Sequence, residues 1–234
     1  MFRWFETLGD RFWLKPDAEG ESESKFIRKA LHLRRAMHVL DAPCGAGRVA
    51  VHLAMAGCAV SGIDLRPQFI RRARDRFRQA GVAGEFHVMD LRQITFENAF
   101  HGIYNWLGSF GYFDESANEE LVRRYARALR SGGRLLIEQP NRERILRHFL
   151  KEVRDGDLVQ RNRWDARTQR VVSRRIVGGK ENPRDVSSVR LYTLQQMRRL
   201  YEKSGLRVEG VYDSRTGEPF TRGSRRIAVV GVKG

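Results

Sequence analysis

At 234 residues with 41% apolar side chains, the chain is long enough for one substantial α/β domain carrying a small insertion and too short for two full domains. No apolar run reaches bilayer-spanning length, and only two cysteines, Cys44 and Cys58, are present, which argues against a membrane span and a disulfide scaffold. The formal charge of +16, mostly arginine and scattered over many segments, leaves two readings open: solvated helix faces, or a polyanionic partner such as RNA.

The opening residues 1–6 lack the apolar stretch of a secretory signal, so a reducing, cytoplasmic setting is expected. Trp4, Phe5, Leu8, Phe12, Trp13 and Leu14 then form an aromatic-rich amphipathic stretch, followed by a polar segment over 17–25 and a helix through Phe26, Ile27, Ala30, Leu31 and Leu33. These aromatics either dock the segment on the domain or contribute to a substrate pocket. A strand is expected over 37–41, then a turn with two glycines and a helix to about residue 56. A second strand covers 58–64. The helix after it has Pro67 in its first turn and buries Phe69, Ile70, Ala73 and Phe77 on one face. Strands at 85–90 and 100–106 follow, and a helix over 116–130 buries Leu121, Val122, Tyr125, Ala126 and Leu129. Ser131-Gly132-Gly133 reads as its C-cap, ahead of a fifth strand over 134–138. The alternation of strand and helix predicts a mostly parallel sheet with helices on both faces.

From 151 to 193 the pattern changes. Segments 157–164 and 170–177 alternate as an antiparallel hairpin, with a third strand over 186–192, so a β insertion is expected over the active-site mouth or at a dimer contact. Its arginines, from Arg161 to Arg175, form the most compact basic cluster of the chain. A helix over 194–203, capped by Thr193, leads to strands at 206–213 and 225–232 that pair as a closing hairpin.

The stretch most informative about function is Val39-Leu40-Asp41-Ala42-Pro43-Cys44-Gly45-Ala46-Gly47-Arg48-Val49-Ala50. Glycines there let a ligand lie against the main chain, and a helix starting near Gly47 would offer unpaired N–H groups. The G-x-G-x-x-A spacing alone also fits a dinucleotide site. Asp41 closes the strand, however, where a carboxylate suits a cationic or zwitterionic ligand better than a pyrophosphate. Asp64 ends the next strand, in place to accept ribose hydroxyls, and Asp90 ends the third, in place for an adenine edge. Three acids at three strand ends suit adenosine bearing a sulfonium and an amino acid.

Asp41-Ala-Pro-Cys-Gly-Ala-Gly resembles the first motif of the class I S-adenosylmethionine-dependent methyltransferases, and Asp64 and Asp90 match its second and third acidic positions. Pro43 departs from the family's usual glycine. The resemblance implies a Rossmann-like seven-stranded, mostly parallel sheet with the last strand antiparallel. It also implies four parts: a helical lid over 1–36, a cofactor-binding core over 37–150, the β insertion over 151–193 and a completing helix and hairpin over 194–234. It implies S-adenosylmethionine as cofactor, yielding S-adenosylhomocysteine. Asp41, Ala42, Cys44, Gly45, Gly47, Asp64, Leu65, Asp90, Leu91 and Asn105 would bind it.

The string Gly108-Ser109-Phe110-Gly111-Tyr112-Phe113 further resembles a small-molecule branch that includes N-methyltransferases of natural-product amino sugars. The expected acceptor is therefore a small molecule methylated at N or O, with a tRNA or rRNA acceptor on the basic Arg161 to Arg175 surface as the alternative. Tyr112, Glu138 and Tyr192 are the candidate catalytic side chains, with Glu138 alternatively pairing with Arg142 or Arg144. The histidines read as structural, and no metal-ligand spacing occurs. A monomer or homodimer is expected.

Overall fold

A computed structural model of the chain describes residues 17–234. The expected lid is covered only from Asp17 onward, and Trp4 and Trp13 lie outside the described residues. A 3-10 turn, Asp17–Glu19, leads into α1 (Gly20–Ala30). Then come β1 (His38–Asp41), α2 (Ala50–Met55), β2 (Ala59–Asp64), α3 (Pro67–Gln79), β3 (Glu85–Val88), β4 (Phe100–Asn105), α4 (Glu115–Ala128), β5 (Leu129–Pro140) and α5 (Arg142–Arg147). Four strands follow, β6 (Glu152–Asp155), β7 (Leu158–Asp165), β8 (Arg170–Val177) and β9 (Lys180–Arg190). The described chain closes with α6 (Leu194–Lys203), β10 (Leu206–Tyr212) and β11 (Arg226–Lys233).

The main sheet has seven strands in the order β10-β11-β5-β4-β1-β2-β3. Pairs β5-β4, β4-β1, β1-β2 and β2-β3 are parallel, and β11 runs antiparallel to both β5 and β10. Both faces are covered, as the near-continuous apolar character of the central strands requires. Successive side chains of β1 enter opposite layers: Val39 joins Ile27, Leu53 and Phe77 beneath α1 to α3, while Leu40 joins Leu121, Tyr125 and Met197 beneath α4 and α6. Among the described residues no helix is long and apolar enough to cross a membrane, and Cys44 and Cys58 are free thiols.

Local chemistry sets most boundaries. Pro67 occupies the first turn of α3, where its missing N–H is harmless. Asp114 caps α4 by accepting from Ala117 N at 2.8 Å, and Thr193 with Gln196 forms a reciprocal capping box on α6. One expected cap is corrected. Leu129, fully buried, already pairs with Phe100 as the first residue of β5, so α4 stops at Ala128 and Ser131-Gly132-Gly133 sit within the strand at an irregular register, Gly132 at φ +74°.

The insertion between β5 and α6 is a four-stranded antiparallel sheet, β6-β7-β8-β9, with the expected hairpin of β7 and β8. Two details differ from the sequence expectation. β6 was not foreseen because Glu-Val-Arg-Asp is exposed along its whole length and shows no apolar alternation. β9 spans Lys180–Arg190, so Leu191 and Tyr192 have left the strand and turn into the core.

Candidate active site

β1 is the switch point of the sheet: the chain builds outward to β2 and β3, then crosses back to place β4 on the other side. Ligands of open α/β sheets lie outside the carboxyl ends of the strands at such a point. Asp41, Asp64 and Asn105 end β1, β2 and β4, so three polar side chains share that crevice.

The turn after β1 brings Gly45 back against β2. Gly45 N donates to one carboxylate oxygen of Asp64 at 3.0 Å and Arg66 N donates to the other at 2.9 Å, so Asp64 ties the turn to the end of its own strand. The two glycines have different reasons to be there. Gly45 adopts φ +52° and a Cβ on it would meet nothing within 4 Å, so its backbone faces open space. Gly47, at φ +72°, would place a Cβ 3.1 Å from that of Ala73, so it lets the turn pack against α3. Packing against α3 is thus one reason for glycine at 47 that the sequence expectation did not include. The helix also begins at Ala50 rather than near Gly47.

Asp41 is 3% exposed, and burial pushes its carboxyl well above the usual range, with Asp64 and Glu23 adding to the effect and Tyr104 and Arg48 opposing it. Asp64, also buried, is raised by burial and pulled back by the two backbone N–H groups. A buried acid pair that disfavours its own charge is complementary to a bound cation. Asn105 is fully buried; its amide donates to the Tyr125 hydroxyl at 3.1 Å, and that hydroxyl donates to Ala42 O at 3.0 Å, while the Asn105 carbonyl oxygen has no partner. Tyr125, read from sequence only as part of the buried stripe of α4, therefore holds the turn in place.

Asp90 departs from its expected position. β3 ends at Val88, and the Asp90 carboxylate caps the turn Leu91–Gln93 and forks onto the Arg92 guanidinium, 2.6 Å at the closest. Half-burial works against its charge, but Arg92 holds the carboxyl below the usual range. Leu91 is buried beside it, whereas Leu65, next to Asp64, is 46% exposed and offers an apolar surface at the mouth of the crevice. Cys44 is buried with its thiol pushed up by burial.

Sequence reasoning missed Glu23 and Arg48. These two form a mostly buried ion pair that fastens α1 over the turn, and Gly20 lies so close that a Cβ would come within 2.8 Å of Arg48 O. Burial raises the Glu23 carboxyl despite Arg48.

A cavity of about 350 Å³ lies between the loop after β4, the end of α5 with the residues that follow it, and one face of the inserted sheet. Tyr112 lines it; burial pushes its hydroxyl up to about 12, while Arg175 and Arg226 pull it back. Arg170 fixes this loop by donating to the carbonyl oxygens of Gly111, Tyr112 and Phe113 at 3.1, 3.0 and 2.9 Å. Gly111, at φ +98°, passes so close to β9 that a Cβ would stand 2.3 Å from Arg190 O.

The other two candidate catalytic side chains are elsewhere engaged. Glu138 is fully buried and accepts from Gly108 N at 2.9 Å, from the Ser214 hydroxyl at 3.1 Å and from both Nε and Nη2 of Arg226. Its ion-pair partner is Arg226 of β11, not Arg142 or Arg144, and this fourfold engagement makes it an anchor for the β4 loop rather than a free base. Tyr192 packs its ring on Phe110 at 5.3 Å and donates to Glu115 at 3.2 Å, within the core and away from the cavity. His148, expected to be structural on a helix, follows α5 as an exposed residue at the cavity.

The basic cluster divides. Arg161, Arg163 and Arg174 are exposed and pair with Glu152, Asp165 and Glu181, whereas Arg170 and Arg175 turn inward.

Residues 39–133 match the methyltransferase domain family. A ubiquinone biosynthesis O-methyltransferase of Xanthomonas euvesicatoria is 26% identical over 148 residues, 59% of this chain and 59% of that protein's length. The CcbJ methyltransferase of Streptomyces caelestis superposes with a TM-score of 0.77 at 14% identity, covering 94% of this chain and 99% of its own. The S-adenosylmethionine-bound CalS10 of Micromonospora echinaspora, an amino pentose methyltransferase, superposes with a TM-score of 0.68 at 20% identity, covering 96% of this chain and 94% of its own.

Proposed function

With residues 39–133 a methyltransferase domain on the fold of the S-adenosylmethionine-dependent methyltransferases, we propose that the chain transfers a methyl group from that cofactor to N or O of a small molecule bound in the cavity beside it. The observation that carries this reading is the pairing of a cationic-ligand berth with a neighbouring open cavity: buried Asp41 and Asp64 around the bare backbone of Gly45, and the space walled by Tyr112 and the inserted sheet.

The residues present fit the cofactor. The orphaned Asn105 carbonyl oxygen and the open space over Gly45 are what a polar ligand against the main chain would fill. When bound, S-adenosylmethionine supplies a methyl group already activated on a sulfonium, so the protein's share is positioning and exclusion of water. Asp41 and the backbone of Ala42, Cys44 and Gly45 would hold the amino-acid part, Asp64 would accept from the ribose hydroxyls, and Leu65, Asp90 and Leu91 would flank the base. On the acceptor side Arg170 holds the loop that carries Tyr112, and the Glu138–Arg226 pair fixes its first glycine, Gly108.

Incubation with methyl-labelled S-adenosylmethionine and a cell extract, fractionated afterwards into metabolites and RNA, tests the proposal. Label is expected in the metabolite fraction; label confined to RNA overturns the small-molecule half of the reading.

A further inference from the structure

Part of the formal charge of +16 gathers at the end of the main sheet opposite the crevice. The parallel strands begin there, and the turn from α1 into β1 packs Leu31 and Leu33 against Gly102 of β4. His32 and Ala36 take left-handed backbone, φ +53° and +63°, and between them the two leucines enter the core while Arg34 and Arg35 stay exposed. Arg28 and Lys29, in the last turn of α1, are exposed beside them. The turn is fastened to the neighbouring strand: Ala36 N donates to Gly57 O at 2.8 Å, and a Cβ on Gly57 would stand 3.1 Å from the Arg35 guanidinium carbon. Arg130 completes the cluster from the other side of β1. His38 packs its ring on Phe100 at 4.6 Å, Phe100 pairs with Leu129, and Arg130 follows as an exposed residue of β5.

These five cations are not neutralised where they stand. The chain from Lys25 to Leu40 contains no carboxylate at all, so no sequence neighbour offsets them. Lys25 takes Glu21 and Arg134 takes Glu209, and among the described residues none of the five has a carboxylate partner. Glu85, which opens β3, and Glu97, which precedes β4, are the exposed acids at the neighbouring strand starts. Helix carboxyl ends also lie here, but each supplies only about half a negative charge. Arg28 and Lys29 more than offset that of α1, and Arg34, Arg35 and Arg130 lie outside any helix. Guanidinium forks on a fixed turn suit phosphate oxygens, and each contact releases a counterion from a phosphodiester chain. A bilayer would need apolar side chains seated beside the charges. Of the exposed large apolar side chains among the described residues, only Met55, two residues before Gly57, belongs to this end of the fold.

We propose that the surface formed by Arg28, Lys29, Arg34, Arg35 and Arg130 binds the backbone of a nucleic acid without reading its sequence. The crevice opens at the carboxyl ends of the strands and this surface lies at their amino ends, so the bound strand is a tether and not the methyl acceptor. The inference stands apart from the methyltransferase reading, because none of the five residues belongs to the cofactor berth or the cavity.

The test is fluorescence anisotropy of the full chain with a labelled single-stranded RNA of mixed sequence, about 20 nucleotides long, between about 50 and 200 mM salt. Five phosphate contacts predict that log Kd rises with log salt at a slope of about 3.5, a loss of about a hundredfold over that range. Arg28→Gln, Arg34→Gln and Arg35→Gln together should lower the slope to about 1.4 and weaken binding at least about tenfold at the lower salt. Arg161→Gln, Arg163→Gln and Arg174→Gln remove the same charge from the inserted sheet, where each arginine faces an acid, and should keep the affinity within about threefold. Calorimetry with S-adenosylhomocysteine in saturating RNA should return the Kd measured without RNA, within about twofold. No RNA binding at the lower salt, equal losses in the two triple variants, or displacement of S-adenosylhomocysteine by RNA each overturns the proposal. So does sedimentation of the parent, but not of the first triple variant, with anionic phospholipid vesicles when RNA does not bind. If the first triple variant does not fold, Arg28→Gln and Arg34→Gln decide singly: each should lower the slope by about 0.7, and an unchanged slope in both overturns the proposal.

Discussion

Asp41→Asn separates the burden a site residue places on the fold from its benefit to a ligand. In the folded chain the Asp41 carboxyl is 3% exposed and burial raises its pKa well above the ordinary value of 3.8. The sign follows from linkage: the folded state holds the proton more tightly than the unfolded one, so stability is fully present below the unfolded pKa and is lost as pH rises towards the folded pKa. The loss amounts to about 1.4 kcal/mol for each unit by which pH exceeds the unfolded value, until the folded value is reached. Asparagine is isosteric and removes that loss. The variant should therefore melt higher than the parent at neutral pH, by about 2–4 °C per kcal/mol recovered for a chain of this size, and the two melting curves should converge near pH 4. Ligand binding should move the other way. Losing one charge-assisted hydrogen bond of about 1.5–3 kcal/mol should weaken S-adenosylhomocysteine roughly 10- to 150-fold. Thermal melts from pH 4 to 8 and calorimetry on both proteins supply the measurements. A variant that melts lower at every pH, or binds S-adenosylhomocysteine within twofold of the parent, refutes the reasoning.

Other substitutions sort supporting side chains from ligand contacts. Glu138→Gln leaves the Arg226 guanidinium uncompensated beside a buried amide, so a loss of about 3–5 kcal/mol in urea unfolding is expected instead of a selective fall in kcat. Tyr125→Phe orphans Ala42 O and the Asn105 amide; about 1–3 kcal/mol should be lost in the same assay, with weaker S-adenosylhomocysteine binding read by calorimetry. Gly45→Ala and Gly47→Ala should differ in kind. Both place alanine in the left-handed region and should lower the melting temperature; the second also drives a methyl against Ala73 and should lower it further, by several degrees, whereas the first adds its methyl to open space and should weaken S-adenosylhomocysteine more than its stability loss explains.

The sheet was legible because its central strands are short apolar runs, and because Pro67 and Thr193 mark helix starts by local chemistry alone. Asp41 and Asp64 were legible for the same reason: a lone carboxylate at the end of an apolar strand stands out. What was hidden depended on distant partners. Glu138 and Arg226 are 88 residues apart, Tyr125 and Ala42 are 83 apart, and Glu23 and Arg48 meet only because α1 folds back over the turn. Asp90 was misplaced by two residues because the Arg92 that recaptures its carboxylate lies beyond the apolar run that defined the strand. β6 is too exposed to carry any periodic signal, and of the Arg161 to Arg175 cluster only Arg175 shares the cavity face of β8 with Val171 and Ser173, while Arg170 and Arg174 lie on its other face, Arg170 spent on the loop after β4.

The most direct measurement is a calorimetric titration of the purified chain with S-adenosylhomocysteine and, separately, with NAD. One molecule of S-adenosylhomocysteine per chain, with no heat from NAD, is the predicted result; saturable NAD binding with no response to S-adenosylhomocysteine would contradict the account at its root.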